Sequence, residues 1–120
     1  MTTTTRNANE HYGSGNGSEN FYQNKFSPII YTDGVKDMAE KCGAYWLIDL
    51  VISHQLNKTV QYEPFQVWQL QRQQDNVFNI VATDGNDKQI AKQQIPFSDF
   101  MYDTATVWLV DGCLLLPNEY

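Results

Sequence analysis

The sequence predicts an α+β domain: one long helix packed on an antiparallel meander sheet of about five strands, behind a disordered polar N-terminal tail. Three observations predict it. They are an extended apolar segment with helical spacing, a series of short alternating segments separated by turn residues, and a first stretch almost free of aliphatic side chains. With 120 residues and 42% hydrophobic composition, the chain can bury a single core without disulfides or metal. The expected division is a tail over residues 1–18 and one domain over residues 19–120.

The first eighteen residues, MTTTTRNANEHYGSGNGS, gain too little from burial to offset the entropy of ordering them. His11 has no metal-ligating neighbour and reads as a solvated side chain. Gly13 to Gly17 precede no strand-to-helix unit and read as linker. Structure is expected to begin at Ser18, as the cap of a short turn, and to run through an aromatic and aliphatic segment to Pro28-Ile29-Ile30-Tyr31.

Thr32 or Asp33 then caps a helix predicted over residues 33–55. At about 100° per residue, Val35, Met38, Ala39, Cys42, Trp46 and Leu50 share one arc of this helix. Asp49 falls inside the same arc, within AYWLIDLVI, the most apolar run of the chain. An ionised carboxylate in such a place requires donors, so Asp49 is expected to be a structural polar residue of the core. Ala44, Leu47, Ile48 and Val51 make the opposite side apolar as well, and the second half of the helix should be enclosed by protein. Gly43, between the halves, is expected to bend the helix.

After a loop near residues 56–59, strands are predicted over 65–72, 77–83, 88–95, 106–110 and 113–116. Turns fall at 73–76, at Asp84-Gly85-Asn86-Asp87 and at Asp111-Gly112, with a longer connection over 96–103. VWLV and CLLL are apolar on both sides, as central strands are, whereas KQIAKQQI is polar, as an edge strand often is. One helix covers only one face of a sheet. The second cover must therefore come from residues 20–31, from the 96–102 connection, or from a second copy in a homodimer.

Eight Lys and Arg against 14 Asp and Glu give a net charge of −6, which argues against direct nucleic-acid binding and for a protein partner with a basic surface. Residues 75–120 hold seven of the acids and only two lysines. Asp84, Asp87, Asp99, Asp103 and Asp111 from this half are the candidate acidic partner surface. No catalytic residue, cofactor site or metal ligand is identified. Asp49 and His54 are five apart, about 140° around a helix, so they cannot share a metal. His54 reads as an exposed residue at the helix end. Cys42 and Cys113 lack the neighbouring Cys or His of a zinc or thioredoxin-like site and read as reduced, packed thiols. A Gly-x-Ser-x-Gly elbow, a phosphate-binding loop and a Cys-x-x-Cys pair are all missing from the sequence. With no signal-like or membrane-spanning run, a cytoplasmic location is expected and no membrane partner.

The segments YTDGVKDMAEKCGAYWLID (31–49), EPFQVWQL (63–70), IPFSDF (95–100) and LLLPNEY (114–120) together resemble a family of small bacterial proteins of unknown function, associated with plasmids, phages and other mobile elements. The resemblance implies a compact protein that acts by binding a host factor, and it carries no catalytic residue. The expected function is a small acidic, non-enzymatic protein-interaction module. Its sharpest form is a mobile-element-encoded inhibitor of a host nucleic-acid-binding defence protein, as anti-CRISPR proteins are. Two rivals stand beside it: a small hydrolase or ligand-binding protein with a pocket at Asp49, using Tyr45 or another tyrosine, and a homo-oligomeric structural protein.

Overall fold

The computed structural model describes residues 6–10, 12, 20–24 and 27–120. The expectations for His11, for Gly13 to Gly17 and for Ser18 lie outside these residues. Seven strands form one sheet: β1 (Phe21–Gln23), β2 (Ile30–Thr32), β3 (Phe65–Gln74), β4 (Val77–Thr83), β5 (Gln89–Ile95), β6 (Thr104–Val110) and β7 (Cys113–Leu115). Their order across the sheet is β1-β2-β7-β6-β3-β4-β5. β2 and β7 run parallel and the other neighbours antiparallel. The helices are short: α1 (Asp33–Lys41), α2 (Tyr45–His54) and α3 (Lys58–Gln61). The expected single long helix over a five-strand meander is thus replaced by a mixed seven-stranded sheet with short helices.

The helix breaks where Gly43 adopts a left-handed φ of 60°. The Ala44 N–H then donates to the Ala39 carbonyl at 2.7 Å, closing α1 with the six-to-one bond of a Schellman end. Because the chain leaves helical geometry for residues 42–44, helical phase is not carried from α1 into α2. α1 buries Val35, Met38 and Ala39; α2, together with the residue before it, buries Ala44, Leu47, Ile48 and Val51. Each set has helical spacing, but the two face the core with independent rotations.

The meander fails at β6. β3, β4 and β5 follow one another, and the 96–103 connection then carries the chain back so that β6 pairs with β3, Phe65 opposite Val110 and Gln71 opposite Thr104. This is a Greek key, with the fourth strand beside the first. Arg72 fixes the returning connection. Its Nε donates to Asp103 at 2.9 Å and its Nη2 to the carbonyls of Phe100 at 2.7 Å and Tyr102 at 3.3 Å. Its Nη1 donates to the Asp75 carbonyl, and the guanidinium lies over the Phe78 ring, 4.6 Å from the centroid.

Gln66, Trp68 and Leu70 of β3, Phe78, Ile80 and Ala82 of β4, and Ala105, Val107 and Leu109 of β6 are buried on the face that meets the helices. The alternate residues of these strands lie on the other face. Part of the expected tail belongs to the fold: Asn7 bridges Thr104, Ala8 is 0% exposed, and the Asn9 side chain bonds both backbone groups of Thr106. These contacts extend the sheet along the stretch of β6 that β7 is too short to reach. At the other end of the chain, Glu119 reaches the start of α1. Its carboxylate accepts the Thr32 hydroxyl at 2.7 Å, the Gly34 N–H at 3.2 Å and the Leu116 N–H at 2.9 Å, a negative group at a helix N-terminus.

Candidate functional site

Past His54 the chain turns through Gln55-Leu56-Asn57 into α3, where the Asn57 side chain accepts the Thr59 N–H at 2.9 Å and caps the new helix. It returns through Tyr62-Glu63-Pro64 to the start of β3. The Pro64 carbonyl accepts the Asp111 N–H at 3.1 Å, tying this return to the β6–β7 turn. Between these segments and Ser27-Pro28-Ile29 lies an open groove of about 560 Å³.

Ile29, Ile52, Leu109, Gln55 and Gln66 contribute to its lining. Gln66 alternates in phase with Trp68 and Leu70, so the strand carries its amide onto the core face, where it is 1% exposed. Burial there requires partners. Gln55 and Gln66 bond reciprocally, each amide nitrogen to the other oxygen at 2.9 Å. Gln66 Nε2 also reaches the carbonyls of Val60 at 2.8 Å and Glu63 at 3.1 Å, and Gln66 Oε1 accepts the Trp68 Nε1–H at 2.9 Å. Behind them the His54 ring lies 5.3 Å from Trp68, and His54 Nε2 is 2.7 Å from Gln93 Oε1. This network pins α2, α3 and β3 to one another and fixes the shape of the groove.

The rim has a different character. Leu56 is 89% exposed and Tyr62 76%, large apolar surfaces held in water on either side of the short α3. Glu63 and Asp111 add two carboxylates, and no Lys, Arg or His is present among the described residues that line the groove. Asp111 projects from a two-residue hairpin turn in which it and Gly112 take φ values of 49° and 84°.

The residues singled out from sequence are spread around the molecule. Asp49 is exposed, on the outer side of α2, with Asn24 Nδ2 3.4 Å from its carboxylate. It is not a residue of the polar core, because the phase reset at Gly43 turned it outward, and it does not line the groove. Nearby, Tyr22 and Tyr31 stack with centroids 5.7 Å apart. Burial, with Tyr45 and Asp49 close by, pushes the Tyr31 hydroxyl above its ordinary value. The five candidate acids do not form one surface. The strand registers place Asp84, Asp87 and Asp111 at one end of the sheet and Asp99 and Asp103 at the other.

Asp103 is a structural tie. It accepts the Arg6 N–H at 3.0 Å and Arg72 Nε at 2.9 Å, and these donors, the Arg6 backbone first, hold its carboxyl below the usual range. His54 ends α2, half-buried against Trp68 rather than fully exposed. Both cysteines are unpaired thiols. Cys42 is buried and donates to Tyr12 Oη at 3.5 Å, and this bond, with burial and Tyr102, pushes the Tyr12 hydroxyl well up. Burial and the nearby Glu119 raise the Cys113 thiol. Among the described residues no cluster of three or more His, Cys, Asp or Glu is placed to hold a metal ion. None of their helices is long and apolar enough to cross a membrane.

The model of DUF6876, a family of unknown function, matches residues 6–120. The chain belongs to DUF6876. No curated protein and no solved structure matches it. Membership assigns the DUF6876 chain no activity and shows neither a bacterial source nor a mobile element. The matched span begins at Arg6, the residue whose N–H meets Asp103, and it contains all of the described residues that line the groove. Sequence reading passed over Gln55, Leu56, Tyr62, Glu63 and Gln66. Two signals point to them: a glutamine in phase with Trp68 and Leu70, and two large apolar residues flanking a four-residue helix.

Proposed function

We propose that this protein is a protein-interaction module whose contact site is the groove between α2, α3 and the β6–β7 turn. Its partner presents an extended segment in which an apolar side chain stands next to Lys or Arg. One observation carries the reading: the groove combines an apolar floor, two exposed apolar rim residues and two carboxylates with no cation among its described lining residues. Apolar contact with Leu56, Tyr62 and Ile52 supplies affinity, and Glu63 and Asp111 select for positive charge. The fixed amide network favours such binding by lowering the entropy cost of ordering the site. Inhibition of a nucleic-acid-binding defence protein is one form this function takes, since such a partner carries Lys- and Arg-rich surface; the proposal itself requires only the basic segment.

The test is selection from a random peptide library on the purified protein, followed by NMR titration of the peptides it enriches. The expected peptides pair Lys or Arg with an aliphatic or aromatic residue and shift the amides of Leu56, Tyr62, Asp111 and Gly112. Tyr62→Ala and Asp111→Asn each weaken them roughly tenfold or more, and binding falls as salt rises. Peptides that bind elsewhere, or are indifferent to both substitutions, overturn the proposal.

A further inference from the structure

The face of the sheet turned away from the helices has an unusual chemistry for so acidic a chain. Its positions are Phe65, Val67, Gln69 and Gln71 on β3, Val77, Asn79, Val81 and Thr83 on β4, and Thr104, Thr106, Trp108 and Val110 on β6. Gln89, Lys92 and Gln94 on β5 and Cys113 and Leu115 on β7 complete it. Lys92 is the one charged residue among these strand positions, in a chain with 14 acids. Tyr120 covers one corner, its ring 5.8 Å from Phe65 and 5.5 Å from Trp108. Gln69, Gln71, Lys92 and Gln94 are exposed.

We infer that this face is the interface of a homodimer, in which two sheets pack face to face with the helices on the outside. A chain of net charge −6 repels its copy through every acid-bearing surface, and this face carries no acid at the strand positions named. Its half-buried valines, Leu115 and Trp108 supply apolar contact at one side. Its Gln, Asn and Thr side chains carry both donors and acceptors, so a second copy can satisfy them. The size is sufficient. Five strands spaced at about 4.8 Å and about seven residues long at roughly 3.3 Å each give a flat area of about 550 Å² per copy. Two copies therefore bury about 1,100 Å² before side-chain relief is counted, which clears the roughly 1,000 Å² of a specific interface. Aligned packing of twisted sheets about 10 Å apart needs no rearrangement of either copy. This inference does not depend on the groove, which opens on the helix side.

Sedimentation equilibrium of the full chain from about 1 μM to several hundred μM tests it, the range that spans weak and moderate dimers. The expected result is a reversible shift to twice the chain mass that strengthens as salt rises, because salt screens the acids outside the interface. Replacing Gln69 and Gln71 together by Glu sets two carboxylates against their counterparts and should weaken the dimer at least 100-fold; both side chains are exposed in one copy, so the thermal midpoint of the dilute protein should not move. Lys58→Glu, away from this face, should leave the dimer intact. A monomer throughout the range overturns the inference, as does a dimer indifferent to the paired Gln→Glu change or an open-ended series of larger masses.

Discussion

Gln66 is the residue on which the groove and the core both depend, and Gln66→Met isolates its hydrogen bonds. Methionine has nearly the same length and volume, so neither a large cavity nor overpacking enters. What changes is polar satisfaction. The Trp68 Nε1–H, on a side chain that is 0% exposed, loses its acceptor, and Gln55 loses its reciprocal partner. An orphaned buried donor costs about 1–3 kcal/mol, and a half-buried amide on the groove wall adds roughly 1 kcal/mol. The Val60 carbonyl keeps a donor in the Glu63 N–H at 3.1 Å, so it adds little. The expected loss is about 3 kcal/mol. For a chain of 120 residues, an unfolding entropy of about 0.25 kcal/mol/K makes this a fall of about 12 °C in Tm. Urea denaturation followed by tryptophan fluorescence reads it as a lower midpoint with unchanged slope. Gln69→Met, on the same strand but exposed, is the control and, in protein dilute enough to be monomeric, should move stability by less than about 0.5 kcal/mol. A Gln66→Met loss below about 1 kcal/mol, or one matched by the control, refutes the argument that a saturated amide network holds this site.

Asp103→Asn should remove a pH-dependent share of stability. The folded carboxyl lies below its ordinary value of 3.8, so the ionised form stabilises the fold above that value, and the contribution disappears as pH falls through the depressed folded pKa; urea midpoints of the two proteins should differ at pH 7 and converge in acid. Gly43→Ala places a Cβ on a backbone with φ of 60° and should cost about 1 kcal/mol by thermal melting, with Gly43→Asn costing less because Asn tolerates that conformation. Glu119→Gln should cost about 1–2 kcal/mol, since an amide cannot accept three donors as the carboxylate does. A Cβ on Gly34 would stand 2.7 Å from Glu119 Oε1, so Gly34→Ala displaces the same contact, and the double variant should lose less than the sum of the two in a urea-denaturation cycle.

Much of the strand pattern is legible in the sequence, because alternation and turn residues act over a few positions. The turns at 75–76 and 111–112 fall where Asp-Asn and Asp-Gly stand, with Asp75 and Asp111 at positive φ. The strand order is not legible in this local way, although a conflict in the sequence points to it. KQIAKQQI reads as an edge strand and VWLV as a central one, and an edge strand cannot stand third of five in a meander. Returning β6 to the side of β3 resolves the conflict: β5 becomes the edge, and Val107, Leu109 and Trp108 keep neighbours on both sides. Helix phase fails for a related reason. One glycine in a left-handed conformation is a local event, yet it resets the rotation of every residue after it, and Asp49 moves from the expected core to solvent.

The acids show why a linear cluster need not be a spatial one. From β3 to β7 the paired strands are antiparallel, so successive connections fall at alternate ends, and the acids of residues 75–120 sit mainly in the connections. The β3–β4 and β5–β6 links carry Asp75, Asp99 and Asp103 to one end; the β4–β5 and β6–β7 links carry Asp84, Asp87 and Asp111 to the other. At the first end Arg72 takes up Asp103. At the second, Asp111 lines the groove together with Glu63, whose position is set by α3 and not by charge pattern. The electrostatic character of the groove therefore arises from one acid of the second half and one of the first, brought together by the bond between Asp111 and Pro64. Confining the acids to the connections thus disperses the sequence cluster and leaves the strand positions of the open face without a carboxylate, while the charge of the groove comes from one such connection meeting the return from α3.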